Sequence, residues 1–401
     1  MQSHLTPEDR LCLLLAQGYL SQAAREEALG LLVGPLQWDP ILERAKAHEV
    51  YPLLYRNLKN LGFPCVPDTA RAELEALFRM NALRNSLLAR ELAQVLGTLH
   101  HAAIPVIPLK GLLLAESLYG DISLRVCADM DILVPRRCVT QAFDLLVARG
   151  YVAEFPRWFL GDGRLRNNFE FSLWRRDGAA HFLVELHWGV MLEAAADEGS
   201  MKDLWAEAHG KDFLGVPVYD LSPEGQLLFL VTHAARHNWQ GLKWLVDIHE
   251  LCRRRDLPWD RVTILARKLG WEPLVQWSLS ACHSLLETPL PPGFVVELPP
   301  IQGNLFPAAP TLPTPLNATL GFLRLAKRPS EKVRIFLRRL LTPTPADWKL
   351  YRLPTSLAFL YYVIRPLRLG FMLAGSLLTA GTRPGNKSPA GADQTTAGLL
   401  R

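Results

Sequence analysis

"LRVCADMDIL", residues 124–133, sets Asp129 and Asp131 one residue apart in an otherwise apolar run that reads as a buried strand. Side chains at i and i+2 of a strand share a face, so the two carboxylates point the same way. So close together they repel, unless a cation lies between them or one keeps its proton. Hard divalent ions such as Mg2+ use one or two carboxylates together with phosphate oxygens and water. The stretch therefore reads as a metal-and-phosphate site at the edge of a buried strand. The plainer reading is a solvated strand end with two unrelated aspartates, since D-x-D is a common pair.

The flanking residues favour the first reading. Upstream, "IPVIPLKG" (104–111) is a short β-rich run ending in Lys110-Gly111, and it feeds the helix-like "LLLAESLYG". Glycine lets a backbone approach a phosphate closely, a helix N-terminus offers free N–H groups, and lysine adds a point charge. Downstream, "VELHWG" presents Glu185 and His187 on one face of another strand. A third carboxylate completes a two-metal constellation, because it can hold the catalytic metal and draw the proton from an attacking hydroxyl.

Lys110-Gly111, Leu-Tyr-Gly-Asp (118–121), Arg125, Asp129-x-Asp131-Ile-Leu-Val and Glu185-Leu-His187-Trp188 together resemble an uncharacterised family of bacterial nucleotidyltransferases. That family belongs to the DNA polymerase β-like superfamily. "THAARHNWQGLKWLVDIHEL" (232–251) is similar to the helical part of these proteins, so the resemblance covers about residues 80–275 and, weakly, "RPLRL" (365–369). It implies transfer of a nucleoside monophosphate from an NTP to an acceptor, with pyrophosphate leaving. Asp129 and Asp131 would hold two Mg2+ ions across the triphosphate, Glu185 would be the third carboxylate, and Lys110 and the Gly111 backbone would meet phosphates. The superfamily usually closes its first strand with Gly-Ser or Gly-Gly. Here Leu112 follows Gly111, and the aspartate pair comes 18 residues after that glycine.

The implied fold is α+β, a small mixed sheet of the polymerase β-like type flanked by N-terminal and C-terminal helical domains. The sequence divides accordingly. Residues 1–101 are helical: Thr6-Pro7-Glu8-Asp9 gives a cap, a first-turn proline and first-turn acids, Asp39-Pro40 repeats the device, and another long helix fills most of 68–101. Residues 102–221 form the α/β core, with strands at "DMDILVP" (129–135), "NFEFSLWR" (168–175), "HFLVELHWGV" (181–190) and "GVPVYDL" (215–221). Residues 222–288 are helices that close the cleft. Nine prolines within 289–315 mark a linker, 316–380 is a basic then apolar helical segment, and 381–401 reads as a disordered tail.

A net charge of +5 does not by itself indicate nucleic acid, and nucleic acid is not ruled out as a partner. The six scattered cysteines include no C-x-x-C pair, which argues against a disulfide framework or a cysteine zinc site. With the polar opening "MQSHLTPEDR", this predicts a cytoplasmic protein.

Several residues keep two readings. Arg125 either contacts a phosphate or pairs with one of the aspartates. His187 either works near the metal or makes a buried structural hydrogen bond. His233 and His237, at i and i+4, have a zinc-binding spacing, but the plainer reading is a polar patch where the helices meet the cleft, with His237 or Asp247 on the acceptor side. Tyr119 and Trp188 stack on a base or belong to the core. The run 324–339 either binds an anionic surface or is a solvated helix face, and 353–380 either packs on the protein or lies in a membrane interface; its apolar pieces are too short to span one. Two functions of different classes follow. One is a Mg2+-dependent enzyme acting on NTP and an unidentified hydroxyl acceptor. The other is a catalytically idle binding or assembly module of the same fold, peripheral to a membrane glycan-synthesis system.

Overall fold

The computed structural model describes residues 5–153, 155–160, 165, 169–190, 198–254, 257–299, 304–310 and 329–380. The chain forms two compact units, Met1–Phe336 and Leu337–Arg401.

The first unit opens on helices α1 (Pro7–Leu15), α2 (Gln22–Val33), α3 (Trp38–Ala47), α4 (Tyr51–Leu61) and α5 (Asp68–His101). The expected cap of α1 is present: Thr6 Oγ1 accepts from the Asp9 N–H at 3.1 Å, and Asp9 Oδ2 accepts from the Thr6 N–H at 3.4 Å. The expected second cap is corrected. Helix α3 starts at Trp38 with Gln37 as its uncapped first residue, so Asp39 lies inside the first turn, where it faces the helix dipole instead of closing the end. The 34 residues of α5 extend about 51 Å at the usual helical rise. Its buried Asn81 and Asn85, one turn apart, donate to backbone carbonyls of the segment ahead of the aspartate pair: Asn81 to Ser123 at 2.7 Å, and Asn85 to Ile122 at 2.6 Å and to Arg125 at 2.8 Å. Helix α5 thereby fixes where that segment enters the sheet.

The sheet consists of β1 (Ile107–Pro108), β2 (Met130–Leu133), β3 (Val152–Ala153), β4 (Glu170–Asp177) and β5 (Ala180–His187), in the order β1-β2-β5-β4-β3. Only β2 and β5 are parallel; the other pairs are antiparallel, so the sheet is mixed. The "IPVIPLKG" run yields a shorter strand than its composition suggests, because Pro105 and Pro108 have no N–H for a ladder. Helix α6 (Leu112–Tyr119) follows β1, and α7 (Val139–Ala148) follows β2. Beyond the sheet come α8 (Glu198–Ala206), then a hairpin of β6 (His209–Phe213) and β7 (Val216–Asp220). Helices α9 (Pro223–Arg236), α10 (Leu242–Arg254), α11 (Trp259–Leu269) and α12 (Glu272–Leu286) complete this part. The architecture is α+β, a small mixed sheet with helices before and after it. One hydrophobic core runs from Leu11 and Leu54 through Leu109 to Leu227, Leu245, Leu286 and Phe306, so the N-terminal helices, the sheet region and the later helices share their burial.

His48, 1 % exposed, ties three of these segments together. Its Nδ1 accepts from the Leu242 N–H at 3.1 Å, which places the proton on Nε2, 2.7 Å from the Pro307 carbonyl. Burial, against the Pro307 bond but with the charge of Arg44, lowers the ring to about 4. The unfolded ring titrates near 6.5, so between these values the unfolded chain binds more protons and stability falls as pH drops. We expect the unfolding midpoint to decline from about pH 6.5 to about pH 4, by up to about 1.4 kcal/mol per pH unit from this group. Denaturant melts across that range check it, and His48→Gln, which cannot titrate, should flatten the decline.

The second unit contains α14 (Pro345–Leu350) and α15 (Tyr361–Ala380), and helix α13 (Pro329–Leu341) spans the boundary between the units. Arg365 and Arg368, the charges that interrupt the apolar segment, close on buried Asp347 at 3.0 and 2.7 Å. Phe359, Val363, Leu367 and Phe371, four residues apart, are exposed. No described helix is long and apolar enough to cross a membrane. Arg324, Lys327 and Arg328 of the basic run, and the tail 381–401, lie outside the described residues.

Candidate active site

Register builds the site. Asp131 on β2 pairs with Glu185 on the parallel β5, and Leu133 pairs with His187, so Asp131, Glu185 and His187 share one face. Across the antiparallel β4–β5 ladder Glu170 lies opposite His187, which adds a fourth carboxylate to the neighbourhood. Met130, Ile132, Val184 and Leu186, pointing the other way, are buried. Asp129 precedes β2 and stands half-buried at its lip.

Lys110 comes to the same place from β1. The Leu109 N–H donates to the Asp131 carbonyl at 3.1 Å, and the Lys110 ammonium then lies 3.3 Å from Asp129 Oδ2 and 3.1 Å from Asp131 Oδ2. A cation thus does lie between the two aspartates, and it is the protein's own. Burial opposes the charge on Lys110, but Asp131, Asp129 and Glu185 outweigh it and raise its affinity for the proton. The next residue, Gly111, begins α6 with φ +70° and ψ −126°, a conformation in which a side chain is strained.

His187 is the hub. Its Nε2 is 3.1 Å from Asp131 Oδ1 and 3.6 Å from Glu185 Oε2, and its Nδ1 is 3.3 Å from Glu170 Oε2. Burial works against the imidazolium, but the bonds with Asp131 and Glu185 and the charges of Glu170 and Asp131 prevail and push the ring up to about 9. Glu185 is held below its ordinary value: burial raises it, while His187, Lys110 and Asp131 more than compensate. Arg236, at the end of α9, closes the chain of charges with Nη2 3.3 Å from Glu170 Oε1. Glu170 is the residue that sequence reasoning missed. Its strand was legible, but nothing in "NFEFSLWR" shows that it faces His187.

Arg125 and Asp247 are placed elsewhere. The guanidinium donates to both Asp247 oxygens at 2.9–3.1 Å, and the Tyr119 hydroxyl donates to Asp247 at 2.8 Å, all in a buried pocket. Arg125 therefore pairs with Asp247 rather than with Asp129 or Asp131, and each is turned into the interior to neutralise the other. Tyr119 and Trp188 both belong to the core, with the Trp188 indole N–H donating to the Leu165 carbonyl at 2.7 Å.

His233 and His237 form an aromatic cluster with Trp244, whose ring stacks on His237 at 4.0 Å and 24°. Burial, followed by the charges of Arg236, Lys110 and Lys243, lowers His237 to about 3, so this ring stays neutral. The turn between α9 and α10 carries Asn238 and Trp239 at φ 57° and 55°, a left-handed pair that ordinary side chains rarely adopt. Within that turn a Cβ at Gly241 would run into the Trp244 ring. Gly241→Ala is accordingly expected to push Trp244 off His237 and to destabilise the protein by about 1–3 kcal/mol. Denaturant unfolding measures it, and an unchanged midpoint would show that the ring has room to move.

Among the described residues, Asp131, Glu185 and His187 bring ligand atoms within 4.8 Å of one another. Four carboxylates, Asp129, Asp131, Glu170 and Glu185, meet Lys110, Arg236 and a protonated His187, so negative charge is in excess and suits a divalent cation.

No curated protein matches the chain. The crystal structure of an antigenic nucleotidyltransferase-like protein from Paracoccidioides brasiliensis is similar at 18% identity and a TM-score of 0.29, covering 51% of this chain and 96% of that one. Residues 34–287, well over half of the sequence, match the family described as uncharacterised nucleotidyltransferase, and the chain belongs to that family.

Proposed function

We propose that the protein transfers a nucleoside monophosphate from an NTP to a hydroxyl acceptor, using Mg2+ held by Asp129, Asp131 and Glu185. The observation that carries this is the convergence of these three carboxylates and Lys110 where the start of β2 pairs with β5, within a chain of the nucleotidyltransferase family. Two Mg2+ ions, when bound, would neutralise the triphosphate and favour in-line displacement. The acceptor oxygen bonds to the α-phosphorus, pyrophosphate leaves, and the hydroxyl proton passes to Glu185, which its neighbours His187, Lys110 and Asp131 hold ionised. Lys110 lies where a triphosphate would meet it, and the free N–H groups after Gly111 add to that surface. His237, neutral and stacked on Trp244, is assigned to the acceptor side, beside Arg236 and Lys243.

Helices 222–288 close over the sheet in this reading, and the exposed apolar residues of the second unit are offered to a protein or membrane surface.

The test is calorimetric titration of each NTP, with and without Mg2+, into the wild type and the Asp129→Ala/Asp131→Ala variant. Binding that needs both the metal and the aspartates is the expected result. No binding to the wild type would move the reading to the idle module, for which the ammonium between the aspartates and the Gly-Leu at 111–112 already speak.

A further inference from the structure

We propose that His187 Nε2, together with one oxygen each of Asp131 and Glu185, ligates a first-row transition-metal ion such as Mn2+ in preference to Mg2+. The inference rests on the nucleotidyl-transfer reading, and it adds a nitrogen ligand to one of the two metal positions assigned there. The distances come first: the three candidate ligand atoms lie within 4.8 Å of one another, and His187 and Asp131 are buried. Such a set of one nitrogen and two carboxylate oxygens suits a borderline cation better than Mg2+, which prefers oxygen and keeps its waters.

An independent observation lies behind the ring. Metal-bound histidines almost always present their second nitrogen to a carboxylate or carbonyl, which fixes the tautomer and turns the other nitrogen to the metal. Glu170 Oε2 is 3.3 Å from His187 Nδ1, and Glu170 is itself held by Arg236 at 3.3 Å. Nδ1 makes no hydrogen bond among the described residues, and Glu170, within ion-pair reach of it, is placed to take up its proton's bond when Nε2 turns its lone pair to a metal. The proton that Nε2 shares with Asp131 leaves to solvent as the metal enters. In this arrangement Glu170 and Arg236 are positioning residues, acting on the metal through His187.

The decisive measurement uses the full-length wild type with Mn2+ as the probe. Pulsed electron paramagnetic resonance is recorded on unlabelled and on 15N-histidine-labelled protein. A single imidazole nitrogen coupled to the bound Mn2+, shifting with the label and persisting in His237→Gln, is expected. Mn2+ should bind at least tenfold more tightly than Mg2+, and Glu170→Gln should weaken Mn2+ by about 10–100-fold. Bound Mn2+ without nitrogen coupling, equal affinity for the two ions, or no Mn2+ binding overturns the proposal. The two readings fail separately: Mg2+-dependent NTP binding without nitrogen coupling removes only the histidine ligand, whereas nitrogen coupling without NTP binding in either metal keeps the metal site and removes the transferase.

Discussion

Glu185→Gln is expected to leave Mg2+-dependent NTP binding within about tenfold of wild type while lowering nucleotidyl transfer by about 10^2–10^4-fold. The two properties separate because Asp129 and Asp131 still offer two charged metal ligands when Glu185 loses its charge. Asp129 and Asp131 are joined by Lys110 at the start of β2, and Glu185 stands beside Asp131 on the neighbouring strand, both of them in contact with His187. An amide keeps the shape and a hydrogen-bonding oxygen but can neither accept the acceptor's proton nor balance a cation. The change should also be tolerated by the fold. The cluster carries more carboxylates than cations, so removing one negative charge brings it nearer to balance and leaves no buried cation without a partner. Calorimetry gives the first quantity. Transfer of label from α-labelled NTP to acceptors in a cell extract gives the second. Equal loss of both would mean that Glu185 serves binding alone, and undiminished transfer would remove it from the reaction.

How much of this could be read beforehand depended on the range of the determining contacts. The helix Asp68–His101 and the shared face of Glu185 and His187 on one strand follow from local periodicity, which is a property of consecutive residues, whereas the pairing of that strand with Asp131 does not. Glu170 was out of reach because its role depends on the β4–β5 register, which a one-residue slip would have reversed. Strand β6 was hidden for another reason: "HGKDF" neither alternates cleanly nor ends in a strong turn pair, since Leu214 occupies a left-handed position usually taken by Asn or Gly. Arg125 looked like a site residue because it stands four positions before Asp129. Its partner is 122 residues away, and charge alone does not say which carboxylate an arginine will find.

That long-range pair makes the largest expected stability effect. Arg125 is 4 % exposed and Asp247 0 %, with three guanidinium-to-carboxylate hydrogen bonds between them. Taking two charges out of water is costly, and the pair persists because each cancels the other. Removing one partner leaves a buried charge with nothing opposite it. Asp247→Asn keeps the side-chain oxygen that receives the Tyr119 hydroxyl but abandons the guanidinium, and it should cost about 3–5 kcal/mol. Against a total stability of about 5–15 kcal/mol, that brings the protein close to unfolding at physiological temperature. Arg125→Met/Asp247→Asn removes both charges while an acceptor for Tyr119 remains, and most of the loss should return. Denaturant melts of the two variants decide the matter. If Asp247→Asn instead melts like wild type but no longer binds nucleotide, the pair acts on the ligand rather than on the fold. If the double variant is no better than the single one, the hydrogen bonds of the Arg125 side chain matter more than its charge.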